Sequence, residues 1–424
     1  MMSPYARRLL PCLLLLSVPA LSRAEVEVPL AGPPIRFEEA IGRALDKNPD
    51  LAVFAWQFRA QEGRAVQAGL APNPNLNLSV EDALGTGSRR GFRTAEQTLS
   101  LSQVLERGAR ERRVAAAEAG RELLDAELLE KLVDTAAETA RRYGHVLSDQ
   151  AQLDVTHAAS ELARSTVEAA RKRVKAGAVP SAEVARAQAA LARADLEHEH
   201  AEHELLTSRR QLAALWGDRE PTFGAAEGDL LSLPPLASFD ALSERLKANP
   251  GLLKFIAEQR VRDAEVRLAE QARKPAWQLT AGIRRFGDGD DVAGVFGLQI
   301  PLAFRDRGQG AIAEAQALSA QVSVKRTAAE ISSLTQLFEW FQELKHAHTA
   351  ASTLATDVVP RMEEALRQTE YAYSRGRYGY LELVAAQKEL LDARRARIQA
   401  AADAWQFATE IDRLTGVLPA GGTP

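Results

Sequence analysis

The sequence predicts a mainly α-helical chain with a β contribution, built from one helix, β-hairpin, very long helix, helix unit that is used twice. Three observations predict it: an internal duplication, segments whose apolar residues alternate with period two, and helical runs too long for a compact domain.

The duplication can be read residue by residue. Lys47-Asn48-Pro49-Asp50-Leu51 reappears as Ala248-Asn249-Pro250-Gly251-Leu252 at an offset of 201, each after a short amphipathic helix, Phe37 to Leu45 and Phe239 to Leu246. Pro74 likewise matches Pro275. Further on, Gly177, Glu183, Gln188, Leu191 and Gly217 match Gly376, Glu382, Gln387, Leu390 and Gly416 at an ungapped offset of 199. The expected organisation is a first repeat over 25–217, a linker over 218–237, a second repeat over 238–416 and a tail over 417–424.

Each repeat holds one hairpin. In the first, over about 75–104, Leu76, Leu78 and Val80 alternate with Asn75, Asn77 and Ser79. Gly85 to Gly91 then turns, and Leu99 and Leu101 alternate with Thr98, Ser100 and Ser102. In the second, over about 276–303, Trp277, Leu279, Ala281 and Ile283 alternate. Gly287 to Asp291 turns, and Phe296, Leu298, Ile300 and Leu302 alternate again. Each hairpin therefore has a single apolar face.

The helices follow. From Ala109 to Ala176 there is no proline, and at 1.5 Å per residue such a helix is roughly 100 Å long. Its counterpart over about 308–375 carries Pro360, which is expected to kink it or break a turn. Two tips reverse the chain. At the first, Gly177 supplies a left-handed helix end, Pro180 excludes Val179 from the α region, and Ser181 is placed to cap a return helix over about 181–216. The second is Arg375-Gly376-Arg377-Tyr378-Gly379, followed by a return helix over about 380–415. In that helix Val384, Leu391, Ile398 and Trp405 recur every seven residues as a coiled-coil seam.

Composition and processing signals narrow the class. The 46% hydrophobic and 26% charged chain is globular rather than disordered. Residues 1–24 read as a secretory signal: Arg7 and Arg8, an apolar run from Leu9 to Leu16, then Ser22-Arg23-Ala24 before Glu25. Its removal takes the formal charge from -4 to -7, which argues against nucleic acid as a partner. The lone Cys12 sits within the signal, so the mature chain is expected to lack thiol chemistry. No later stretch approaches about 18 uninterrupted apolar residues, so no transmembrane helix is expected.

An exported chain of this kind can still cross a membrane as a closed β-barrel, because lipid cannot satisfy an open sheet edge. Four strands cannot close one, and barrels need at least about eight, so two or three copies would have to share a barrel. Each copy would add four long helices beneath it, enclosing a lumen that ends at the ring of tips.

Phe37-Glu-Glu-Ala-Ile with Asn48-Pro49, Leu101-Ser-Gln-Val-Leu followed by Gly108, Tyr373-x-x-Gly376 with Leu381-Glu-Leu-Val384, and Leu414-Thr-Gly416 form an ordered set. In these residues the chain resembles the TolC-like outer membrane efflux protein family. Ile300-Pro-Leu-Ala-Phe-Arg-Asp-Arg-Gly-Gln-Gly-Ala-Ile-Ala-Glu-Ala315 looks most like that family's cobalt-zinc-cadmium branch, the outer membrane components of heavy-metal RND pumps.

The resemblance implies a homotrimer with a shared barrel of about 12 strands above a periplasmic α-helical barrel, in the outer membrane of a Gram-negative bacterium. A periplasmic adaptor would dock at the tips, marked by Gly177, Ser181 and Gly376, and connect the duct to an inner-membrane pump. The implied protein is a passive exit duct in contact with outer membrane lipid; it needs no cofactor and is not an enzyme. Heavy-metal cations such as cobalt, zinc or cadmium are the implied cargo, with drug efflux or type I protein secretion as the alternative.

By the same resemblance Tyr373 and Glu183 fall at a periplasmic constriction and Glu382 at an acid lining the entrance. The second entrance acid falls on Ala385. The family's tip arginine is displaced here, leaving Arg375 and Arg377 as the candidates to bond Glu183 or Tyr373. A plainer role exists for both acids, since a carboxylate in the first turn of a helix is favoured by the helix dipole.

His198-Glu199-His200-Ala201-Glu202-His203 is the one tempting metal cluster, with His346 and His348 a second pair. It matches neither zincin pattern. The duplicated positions of His198, His200 and His203 are Arg397, Gln399 and Ala402, which suggests a solvated face rather than a site. A periplasmic coiled-coil scaffold and half of a soluble sandwich are the competing architectures. A hydrolase is disfavoured, because no nucleophile elbow or phosphate loop is present.

Overall fold

The computed structural model describes residues 32–271, 273–289 and 291–418. The signal segment and Cys12 lie outside them, as does most of the tail. The described order is α1 (Phe37–Lys47), α2 (Pro49–Gly69), β1 (Asn75–Glu81), β2 (Glu96–Leu105), α3 (Ala109–Lys175), α4 (Ala182–Ala214), α5 (Phe239–Leu246), α6 (Pro250–Gln271), β3 (Trp277–Arg285), β4 (Val292–Gln299), α7 (Gln309–Thr353), α8 (Val359–Ser374) and α9 (Tyr380–Leu414).

The strands form one antiparallel sheet in the order β1-β2-β3-β4. Below it α2 packs on α3, α3 on α6, and α6 on α7. Each strand is thus joined to the helix beneath it, and both layers run in the same order, with β1 over α2 at one edge and β4 over α7 at the other.

The register explains the alternation. Leu76 faces Leu101, which faces Ala281, which faces Phe296; Leu78, Leu99 and Ile283 form the next row. These apolar rows are the exposed ones, with Phe296 86% exposed, whereas Thr98, Ser100 and Ser102 on the other face are buried. The sheet is inside-out relative to a soluble sandwich. The alternation predicted through Ile300 and Leu302 outlasts the strand: the β3–β4 ladder ends at Gln278 opposite Gln299, and Pro301 has no N–H to extend it.

The helix ends show the duplication in atomic detail. The Asn48 side chain accepts from Asp50 N–H at 2.9 Å and donates to the Leu215 carbonyl at 2.8 Å. Asn249 accepts from Leu252 N–H at 2.9 Å and donates to the Leu414 carbonyl at 2.6 Å. In each repeat one asparagine therefore caps a helix start and clamps it to the end of the return helix.

The two long helices differ. α3 runs 67 residues without interruption. Its counterpart is divided by a π turn over Leu354–Val358, after which Pro360 lies in the first turn of α8, where its missing N–H costs nothing. On α9 the seven-residue seam proves too narrow. Ile398 is buried but Val384, Leu391 and Trp405 are only half-buried, while Leu383, Leu390, Ala401 and Ile411 are buried as well. The reason is that α9 packs against α3 as well as α7 and α8.

The stretch 218–237 is more than a connection around the bundle. Phe223, Ala226 and Leu230 are buried in the same core as Phe37, Tyr143 and Trp216. Ala226 bridges to Ile35, and the Tyr143 hydroxyl donates to the Ile35 carbonyl at 2.8 Å.

Candidate functional site at the helical tips

Both tips are built by the same backbone device. Gly177 and Gly376 have φ of +70° and +72°, a conformation that a side chain disfavours. Ala178 N–H donates to Arg173 O at 3.0 Å and Gly177 N–H to Val174 O at 2.9 Å; Arg377 N–H donates to Ala372 O at 2.9 Å and Gly376 N–H to Tyr373 O at 3.0 Å. These are paired Schellman endings.

The two acids then diverge because of what precedes them. Glu382 reaches back to accept the Gly379 N–H at 3.0 Å at the start of α9, the carboxylate half of a capping box, since glycine has no side chain to supply the other half. Three residues before Glu183 the chain has Pro180, which has no N–H to offer. The Glu183 carboxylate is therefore available elsewhere: it accepts the Tyr373 hydroxyl at 2.6 Å and lies 3.7 Å from Arg173 Nη1. Arg173 Cζ also sits 4.2 Å from the centroid of the Tyr373 ring.

Tyr373 is only 3% exposed. Burial, and then the hydrogen bond to Glu183, push its phenol up to about 12, so it remains a donor at neutral pH. The triad ties the end of α8 to the start of α4 and the end of α3, joining the two hairpin tips of one chain.

The expected arginines do not complete this cluster. Arg375 lies over Tyr371, 5.1 Å from the ring centroid, and Arg377 enters the described hydrogen bonds through its backbone N–H. The completing cation is Arg173, one turn before the first tip. Its duplicated position is Ala372, and that asymmetry between the repeats was the available signal. Ser181 also departs from expectation: it precedes α4 with helical φ −58° and ψ −22°, and its side chain makes no capping bond. The extended backbone that aims a capping hydroxyl at the helix is absent there.

The histidines of the 198–203 run are dispersed, in keeping with a polar face rather than a site. His198 and His200 face Glu202 at 3.6 Å and Glu204 at 3.3 Å respectively. Among the described residues no three or more His, Cys, Asp or Glu side chains are grouped to hold a metal, and no helix is long and apolar enough to cross a membrane.

The chain thus carries an inside-out sheet with two open edges on long helices whose tips are joined by the Tyr373–Glu183 hydrogen bond. The chain belongs to the outer membrane efflux protein family, whose model matches residues 40–218. It is 30% identical to the cobalt-zinc-cadmium resistance protein CzcC of Cupriavidus metallidurans, over 91% of each chain. It is also 26% identical to the nickel-cobalt-cadmium resistance protein NccC of Alcaligenes xylosoxydans xylosoxydans, over 79% of this chain and 77% of that one. In fold it matches CusC, with a TM-score of 0.74 and 16% identity over 90% of this chain and 92% of that one. It matches the outer membrane protein VceC of Vibrio cholerae with a TM-score of 0.70 and 20% identity over 90% and 96%.

Proposed function

We propose that three copies of this chain form an exit duct through the outer membrane for heavy-metal cations. The observation that carries the membrane reading is the sheet: its apolar rows are exposed, its Ser and Thr rows are buried, and β1 and β4 have unpaired edges that lipid would not tolerate. Pairing β4 of one copy with β1 of the next closes the barrel and brings α7 beside α2 of the neighbour. The exposed Val324, Ile331 and Phe338 of α7 and Val53, Trp56 and Val66 of α2 support that contact.

The cargo reading rests on relatives whose names record resistance to cobalt, zinc, cadmium and nickel. In this assembly the Tyr373–Glu183–Arg173 latch holds the periplasmic end narrow and Glu382 draws cations to the mouth. The tips around Gly177, Ser181 and Gly376 meet a periplasmic adaptor, which connects the duct to an inner-membrane pump. The duct carries out no chemistry of its own.

Deleting the gene tests this. Sensitivity to zinc, cadmium and cobalt is expected, with the protein recovered in the outer membrane fraction. Sensitivity confined to antibiotics and dyes would reassign the cargo, and recovery in the soluble periplasmic fraction would remove the duct.

A further inference from the structure

We propose that the cavity between α3 and α9, beneath the stretch 218–237, binds a small organic cation: an ammonium or guanidinium group carried on an apolar body. The site lies within one chain, away from the tips, and does not depend on how copies assemble.

The cavity encloses about 510 Å³, within the range of small-molecule sites. Its walls combine Phe37, Leu147, Leu230, Pro234, Pro235 and Trp405 with four acids, Asp149, Glu204, Asp403 and Asp412. The cations on its wall are Arg141 and His145, and Arg141 is already held by Glu138 and Glu410. Negative charge is therefore in excess. α3 and α9 are antiparallel, since Thr166 bonds Gln387 whereas Asp134 bonds Arg413. Arg141 meets Glu410, so Asp412 lies near that level, and Asp149 lies further along α3 by roughly 12 Å at 1.5 Å per residue. Acids spread over that length are not grouped to coordinate one metal ion. They suit a cation that has a body.

Asp412 is the anchor. Among the described residues no hydrogen bond or ion pair reaches its carboxylate; burial raises its pKa, and Arg245 opposes that only through its field. Asp149 is likewise raised, chiefly by burial. A desolvated carboxylate without a partner is unfavourable, and a cation brought by a ligand relieves that. Several donors around the cavity are meanwhile committed. Trp405 Nε1 donates to the Leu230 carbonyl at 3.1 Å, the Thr409 hydroxyl to the Trp405 carbonyl at 2.9 Å, and Gln399 Nε2 to Asp403 at 2.8 Å. With its one N–H occupied, the indole has only its π surface to offer, which attracts cations. The ligand must bring the donors.

Gly144 supplies a second, independent observation. It sits inside α3, where glycine is unfavourable relative to alanine, yet a Cβ there would meet nothing within 4 Å. At Gly120, the other glycine of this helix, a Cβ would come 2.8 Å from Gln61 Nε2, so packing accounts for the residue. No described neighbour accounts for Gly144 in that way. What its missing side chain leaves is room in the cavity that it lines.

The test is calorimetric titration of the detergent-solubilised full chain at neutral pH with tryptamine, and with 3-ethylindole as its uncharged analogue. One equivalent of tryptamine per chain is expected, with 3-ethylindole about 30-fold weaker or more. Asp412→Asn should weaken tryptamine about 30-fold, and because it removes a desolvated charge it should fold at least as well as the unaltered chain. Gly144→Leu should fill the cavity and abolish binding. Absence of tryptamine binding, equal binding of 3-ethylindole, or tryptamine binding unchanged in both variants would each overturn the site.

Discussion

The hydroxyl of Tyr373 donates to the carboxylate of Glu183 at 2.6 Å across 190 residues of sequence. One hydrogen bond thereby joins the two repeats where both hairpins turn. It exists because Pro180 denies Glu183 the capping role that Glu382 fills in the other repeat.

Removing the donor is the direct test of the latch. Tyr373→Phe should cost about 1.5–3 kcal/mol, the range for a hydrogen bond to a charged group, read from thermal unfolding in detergent. In planar bilayers Tyr373→Phe and Arg173→Ala should both raise conductance, while Arg375→Ala should change it less. Equal effects from Arg173 and Arg375 would refute the assignment of Arg173 as the completing cation.

Glu382 separates charge from capping. Glu382→Gln keeps an acceptor for the Gly379 N–H but removes the charge, whereas Glu382→Ala removes both. Both variants should reduce cation preference in reversal-potential measurements, and only the alanine variant should lower stability, by about 0.5–2 kcal/mol. Unchanged reversal potentials in both would leave Glu382 as a cap alone.

Asp412 on α9 makes stability depend on pH. Burial, opposed by Arg245, raises its carboxyl from 3.8 to about 6. A raised folded value means that stability is greatest below the unfolded value and is lost as pH climbs through about 6. Asp412→Asn should therefore stabilise the protein at pH 7 by roughly 1–3 kcal/mol, with the gain vanishing below about pH 4. Denaturant midpoints across that window would show it, and a gain that persists at low pH would exclude ionisation as the cause.

The two faces of the sheet should respond oppositely to the same side chain. Leu101→Arg places a charge on the exposed apolar row and should cost about 2–4 kcal/mol if that row lies near the middle of the bilayer. Asn77→Arg lies in the row of Ser100 on the opposite face but is exposed there. Outer membrane recovery should fall for the first and hold for the second, and the reverse result would invert the barrel.

Most of the fold was legible because its signals are local. A glycine at +70°, an asparagine before a proline, and leucines alternating with serines act within a few residues, and duplication repeats them. What escaped the sequence acts across elements. Arg173 joins Tyr373 and Glu183 only because α3 and α8 end where α4 begins, and His157 meets His198 only because two helices are antiparallel. The seam on α9 was read too narrowly because a seven-residue repeat describes one neighbour, and α9 has several. Alternation marks two faces of a strand but does not say which faces the interior; the buried Thr98, Ser100 and Ser102 supply that direction.

The matching order of strands and helices, from β1 over α2 to β4 over α7, bears on how copies recognise one another. In the proposed assembly a neighbour that pairs correctly at the sheet edge would be checked a second time by the helix hanging from that strand. A foreign subunit with compatible strands but a different stripe on α2 or α7 would fail the second check. Fidelity of that assembly would be written twice along the same edge, once in backbone hydrogen bonds, which are indifferent to sequence, and once in side chains, which are not.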